Sequence, residues 1–132
     1  MKELNKDDAL RQSIMGIKAN YKLGGTEQFH GLTLKALNSL IENEFVDLDE
    51  RQNPEAPSIR EFWELLKAHP CEPVTLHGYI TSPERDDYRI SIEGLKGESL
   101  NKDFIRDLLV LYEKYPCGIR DIFYKYQYSW YD

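Results

Sequence analysis

Cysteine is scarce in this chain: Cys71 and Cys117 are the only two among 132 residues. A secreted scaffold stapled by disulfides needs a denser set, so the fold is expected to rest on its core and to belong to a reducing compartment. Long apolar runs are missing too, and none approaches the ~20 residues that cross a bilayer. Residues 1–8 (MKELNKDD) are too polar and acidic for a signal or transit peptide. These absences lead to the expectation of a cytoplasmic protein with no membrane partner. Positive charge is in short supply, with 17 Lys and Arg against 23 Asp and Glu, a net charge of −6. Such a balance repels a phosphate backbone unless the basic residues gather on one face, and no segment of the chain is basic, so nucleic acid is disfavoured as a partner. No Gly-x-Ser-x-Gly elbow, Walker loop, His-Glu-x-x-His pair or dinucleotide fingerprint occurs either.

What the chain does have is periodicity. Val74, Leu76, Gly78 and Ile80 alternate with Thr75, His77, Tyr79 and Thr81. After a charged turn at 82–87, Tyr88, Ile90 and Ile92 alternate with Arg89, Ser91 and Glu93. A period of two puts one set on each face of a half-buried sheet, so strands are predicted at about 74–82 and 87–95. Helical spacing marks four other segments. Leu10, Ile14, Ile17 and Tyr21 predict a helix over 7–23, capped by Asp7 or Asp8 and stopped by Gly24-Gly25. Thr33 would cap a second helix, 33–45, with Leu34, Leu37, Ile41 and Phe45 as its stripe. Ser58 and Glu61 form a capping box opening a third, 58–69, in which Ile59, Phe62, Trp63 and Leu66 share a face and Pro70 ends the run. Trp63 is expected to anchor the core. Leu100, Phe104, Leu108, Leu111 and Tyr115 predict a fourth helix over 100–115, closed by Pro116. A last strand is predicted at 120–130.

The length suits one domain, 1–132, able to bury roughly two-thirds of its unfolded surface. The expected class is α+β: N-terminal helices, a β-hairpin, a long helix and a C-terminal strand. The three strands would form a small antiparallel sheet, split β-α-β-like, with the last strand beside the first and the helices on one face.

The opposite face would carry His77, Tyr79, Arg89, Glu93, Lys125 and Gln127, and these are the candidate binding residues. Six of the sixteen aromatic residues fall between positions 123 and 131. Tyr124, Tyr126, Tyr128 and Trp130 would share one face of the final strand, either as core or as an interface with a second copy. His69, Cys71 and His77 include metal-ligating types, but His69 reads better as a helix C-terminal residue and Cys71 as a small buried apolar one, so neither a metal nor a cofactor is expected. The acidic loop at 47–57 lacks the ligand spacing and glycine of a calcium loop.

Three functions compete. The first is a small acidic, non-catalytic interaction or regulatory domain binding a protein partner or itself as a homodimer. The second is a winged-helix nucleic-acid binder using helix 58–69, against which stand the net charge, the acidic turn and a gap of about a dozen residues where a helix-turn-helix has 3–4. The third is a small enzyme with His77 as base, Arg89 as anion anchor, Glu93 as acid or orienting group and Tyr79 as hydroxyl donor. The first is favoured, because the other two need features that the sequence does not supply.

Overall fold

The computed structural model describes residues 3–21, 24–97 and 100–115. Within them run α1 (Asp8–Met15), β1 (Thr26–Leu32), α2 (Leu34–Glu42), α3 (Ile59–Ala68), β2 (Val74–Thr81), β3 (Ile90–Gly97) and α4 (Lys102–Lys114). Four helices and a three-stranded antiparallel sheet make the class α+β, as the patterning predicts.

The helix starts follow from side-chain capping. Asp7, Thr33, Ser58 and Asn101 each accept a bond from a free backbone N–H of the following first turn. At α3 the box is reciprocal: the Ser58 hydroxyl accepts from the Glu61 N–H, and the Glu61 carboxylate accepts from the Ser58 N–H. The first helix is shorter than its spacing suggests. Gly16 takes the left-handed conformation (φ 70°) and its N–H closes on the Gln12 carbonyl at 2.7 Å, so α1 stops there rather than at Gly24-Gly25.

The sheet order is β1-β2-β3, with β2 central and antiparallel to both neighbours. Position beside β2 was expected for the C-terminal strand and is held by β1 instead. The predicted strand at 120–130 and the residues Tyr124, Lys125, Tyr126, Gln127, Tyr128 and Trp130 lie outside the described residues.

One apolar cluster joins the inner sheet face to the helices. Leu76, Ile80, Ile90, Ile92 and Leu95 from the strands meet Leu37, Leu40, Phe62, Leu66, Phe104 and Leu108 from α2, α3 and α4. Fully burying one such side chain contributes about 1.5–3 kcal/mol. Trp63 is at the rim of this cluster, not its centre. Its indole N–H donates to Asn38 Oδ1 at 2.8 Å and the Lys67 ammonium sits 3.4 Å from its ring centre, because an indole N–H must find an acceptor and the apolar interior offers none.

The acidic loop after α2 is pinned and ordered. Arg51 pairs as a β-bridge with Ser58, the Arg51 guanidinium donates to the Ala56 carbonyl at 2.7 Å, and the Ile59 N–H donates to the Glu50 carbonyl at 3.0 Å. Glu61 then ties loop, α3 and α4 together by accepting from Arg51 (3.3 Å), Lys114 (3.1 Å) and the Tyr115 hydroxyl (2.8 Å). Burial works against its charge, but the Ser58 N–H, Tyr115 and Lys114 outweigh it and hold the carboxyl below the ordinary range.

Candidate functional site

The outer sheet face is set by strand parity. Phe29, Leu76, Ile80, Ile90 and Ile92 turn inward. Gln28 stands across from Tyr79, Thr26 from Thr81, and Tyr79 from Ser91, so these side chains turn the other way. None of Thr75, His77, Tyr79, Thr81, Arg89, Ser91 or Glu93 belongs to the apolar cluster.

Arg89 is the centre of this face. It sits at the end of the β2–β3 turn, where its N–H donates to the Thr81 hydroxyl at 2.7 Å. Its guanidinium donates to the Tyr79 phenol oxygen at 2.8 Å, to the Asp87 carboxylate at 3.2 Å and to Glu50 Oε1 at 3.1 Å. All these partners favour the cation, and although burial opposes it the net shift is upward. Glu50 comes from the pinned loop, which explains how a residue so distant in sequence reaches this strand. Burial raises its carboxyl above the usual range, and the Arg89 charge only partly offsets that. Ser91, fully buried, lies beside it.

The turn itself is ordered by a second arginine. Arg85 makes a two-pronged pair with Asp87 (2.8 and 2.7 Å) and donates to the Gly24 carbonyl at 2.7 Å, fastening the turn to the start of β1. The charged turn thus acts as a latch, with Arg85 and Asp87 still partly exposed. The Arg85 pair, more than any other partner, pulls the Asp87 carboxyl below its ordinary range.

Tyr79, Arg85, Arg89, Glu93 and Gln28 line an open depression of about 350 Å³. Three of the four described candidate residues therefore share one site. His77 is not in its lining; it stacks instead against His30 of β1, with ring centres 5.8 Å apart. Sequence reasoning missed Gln28, His30 and Glu50, because β1 was not foreseen and a loop carboxylate leaves no periodic trace.

Elsewhere, His69 ends α3 as anticipated, and its Nε2 lies 2.6 Å from Asp107 Oδ2 of α4. That bond holds the Asp107 carboxyl low. Cys71 is exposed, contrary to the expectation of a buried residue, since the junction from Pro70 to Pro73 runs at the surface before burial resumes at Val74. Cys117 lies outside the described residues. Among the described residues no group of three or more His, Cys, Asp or Glu side chains is placed to hold a metal ion, and no helix is long and apolar enough to cross a membrane.

Compared with known proteins, the chain matches no protein-family model, no curated protein and no solved structure.

Proposed function

We propose that this chain is a small, acidic, non-catalytic binding domain of the cytoplasm, which engages a protein partner or a second copy of itself through the outer face of its sheet. One observation carries the reading: the candidate reactive groups do not converge. Arg89 is already committed to Glu50, Asp87 and Tyr79, while His77 stands apart from the depression that Tyr79, Arg89 and Glu93 line. A catalytic base must reach the proton it abstracts in the site that anchors the substrate. A docking surface has no such requirement, and an ordered set of tyrosine, arginine and glutamine side chains suits one.

A protein partner fits better than nucleic acid. The exposed side of α3 offers no free basic stripe, because Arg60 pairs with Asp49 at 3.3 Å and Lys67 caps the Trp63 ring. The interval from Glu42 to Ile59 also exceeds a helix-turn-helix connection.

Native mass spectrometry and light scattering on the full chain, with capture from a cytosolic extract, test the proposal. Wild type should form a dimer or retain a defined protein. Gln28→Arg, placed at an exposed position of this face, should abolish that association and leave the melting curve unchanged. Association that survives Gln28→Arg, or a chain that stays monomeric and retains nothing, sinks the reading. Turnover abolished by His77→Ala would favour the enzyme instead.

A further inference from the structure

Arg11 of α1 is a fully buried cation, 0% exposed, yet only one of its N–H groups meets a carboxylate: Nε donates to Asp8 Oδ1 at 3.1 Å. Nη1 makes two long contacts, 3.6 Å to Met15 Sδ and 3.5 Å to the Ile17 carbonyl. Nη2 is buried with no acceptor among the described residues. Asp8 is 43% exposed and also accepts from the Tyr21 hydroxyl at 2.6 Å, so the counter-ion is both shared and solvated. A guanidinium keeps its proton in a protein, so neutralisation cannot relieve its burial, and every buried donor left open works against the closed arrangement. Taking such a pair out of water often costs more than the pairing returns.

The rest of this N-terminal stretch is lightly fastened. Leu4, Ile14 and Met15 pack against the apolar cluster but are only partly buried. The polar tethers converge on one residue. The Asn5 N–H donates to the Glu44 carbonyl at 2.9 Å, its side-chain amide to the Asn43 carbonyl at 2.9 Å, and its own carbonyl accepts from the Tyr88 hydroxyl at 2.8 Å. At the far end stands Gly16 in the left-handed conformation, a residue able to absorb a change of backbone direction. Leu4 and Lys6 of this stretch line a cavity of about 480 Å³ together with Glu50, Asp87, Tyr88 and Arg89.

We propose that residues 3–16 are a strap that opens as one unit about Gly16 and so regulates access to the Arg89, Glu50 and Asp87 cluster. Opening returns Arg11 to water, frees Tyr88, which is 9% exposed while the strap is closed, and takes Leu4 and Lys6 out of the cavity lining. Closed, the strap is held by Asn5 and opposed by Arg11, a balance that keeps the opening free energy well below that of the core. The regulatory role rests on the proposed docking surface, whereas the opening itself takes place with no partner present.

Native-state hydrogen exchange on the full chain, without a partner, tests the opening. The amides of residues 11–16 and of Asn5 should exchange through one shared event, with at least about a hundredfold less protection than the β2 amides and with little dependence on urea. Arg11→Met puts an apolar side chain in place of the cation, while Asp8 stays solvated and keeps Tyr21, so no buried charge is stranded. Protection at residues 11–16 and at Asn5 should then rise about fivefold or more. Asn5→Ala, which cuts the tether to Asn43, should lower protection at residues 11–16 about fivefold. Residues 11–16 as well protected as β2, exchange there without matching exchange at Asn5, or protection that Arg11→Met fails to raise or Asn5→Ala fails to lower would overturn the proposal.

Discussion

The inner and outer faces of the same three strands are stabilised in different ways. Inward, Leu76, Ile80, Ile90, Ile92 and Leu95 are at most 2% exposed and contribute through apolar area and close packing. Such packing asks only for the right shape, and one hydrophobic residue of similar volume can replace another at modest cost. Outward, Tyr79, Arg89, Asp87 and Glu50 specify one another by donor and acceptor, and each bond is worth little net because water would satisfy the same groups. In the proposed reading, the difference separates stability from recognition. The inner face carries the buried apolar area and offers no polar groups, whereas the outer face carries the donors and acceptors.

Truncation should expose that asymmetry most strongly on the inner side. Leu76→Ala leaves a cavity in the apolar cluster and should lower the unfolding free energy by about 2–5 kcal/mol, read from urea denaturation. A loss below about 1 kcal/mol would place the core elsewhere. Gly78→Ala attacks the inner side differently. A methyl there would stand 1.9 Å from the Ser91 carbonyl oxygen, so β2 and β3 must part beside the bulge. The expected cost is about 1–3 kcal/mol, visible as a lower melting temperature.

On the outer side the largest effect should come from Arg89→Ala, which leaves Glu50, 21% exposed, without its cation. Because Arg89 itself is 31% exposed and water screens the pair, the expected loss is about 1–2 kcal/mol. Glu50→Gln in the same chain should recover part of it, since the stranded charge is gone, and a double-mutant cycle should show a coupling of about 0.5 kcal/mol or more. The pH dependence of Glu50 has a definite sign. Its folded pKa is raised by burial, so the folded state takes up the proton first and the group favours folding more as the pH falls through that pKa. The stability of wild type relative to Glu50→Gln should therefore rise as the pH is lowered from neutral toward the unfolded glutamate value of about 4.3. A fall over that window would show that the Arg89 pairing outweighs burial.

Legibility followed the same division. The inner face of the hairpin and the stripes of α2, α3 and α4 could be read because apolar periodicity records burial directly. The capping boundaries at Thr33 and Ser58 were readable because one side chain, or two three residues apart, performs each. Strand β1 was not, since Phe29 and Leu32 are its only buried positions and the bulge at Gly31 throws them out of a period of two. On the outer face the residue types His77, Tyr79, Arg89 and Glu93 were identified, but their grouping was not. Arg89 is fixed by Glu50 from a loop and His77 by His30 from the unforeseen strand, and neither contact leaves a pattern along the chain.

The smallest effect sharpens the contrast furthest. Tyr79→Phe removes only the phenol oxygen that accepts the Arg89 N–H, leaving the ring 5.4 Å from the guanidinium carbon and its cation–π attraction in place. Arg89 keeps Asp87 and Glu50, so no buried charge is stranded, and the cost should be about 0.5–1 kcal/mol. Partner binding should respond more than stability does, because the phenol lies in the lining of the depression where a docked surface would meet it. Equal and large losses in both would mean that the outer face is part of what holds the strands together. A loss of binding with the melting curve nearly intact would show that the two faces divide the work as their chemistry implies.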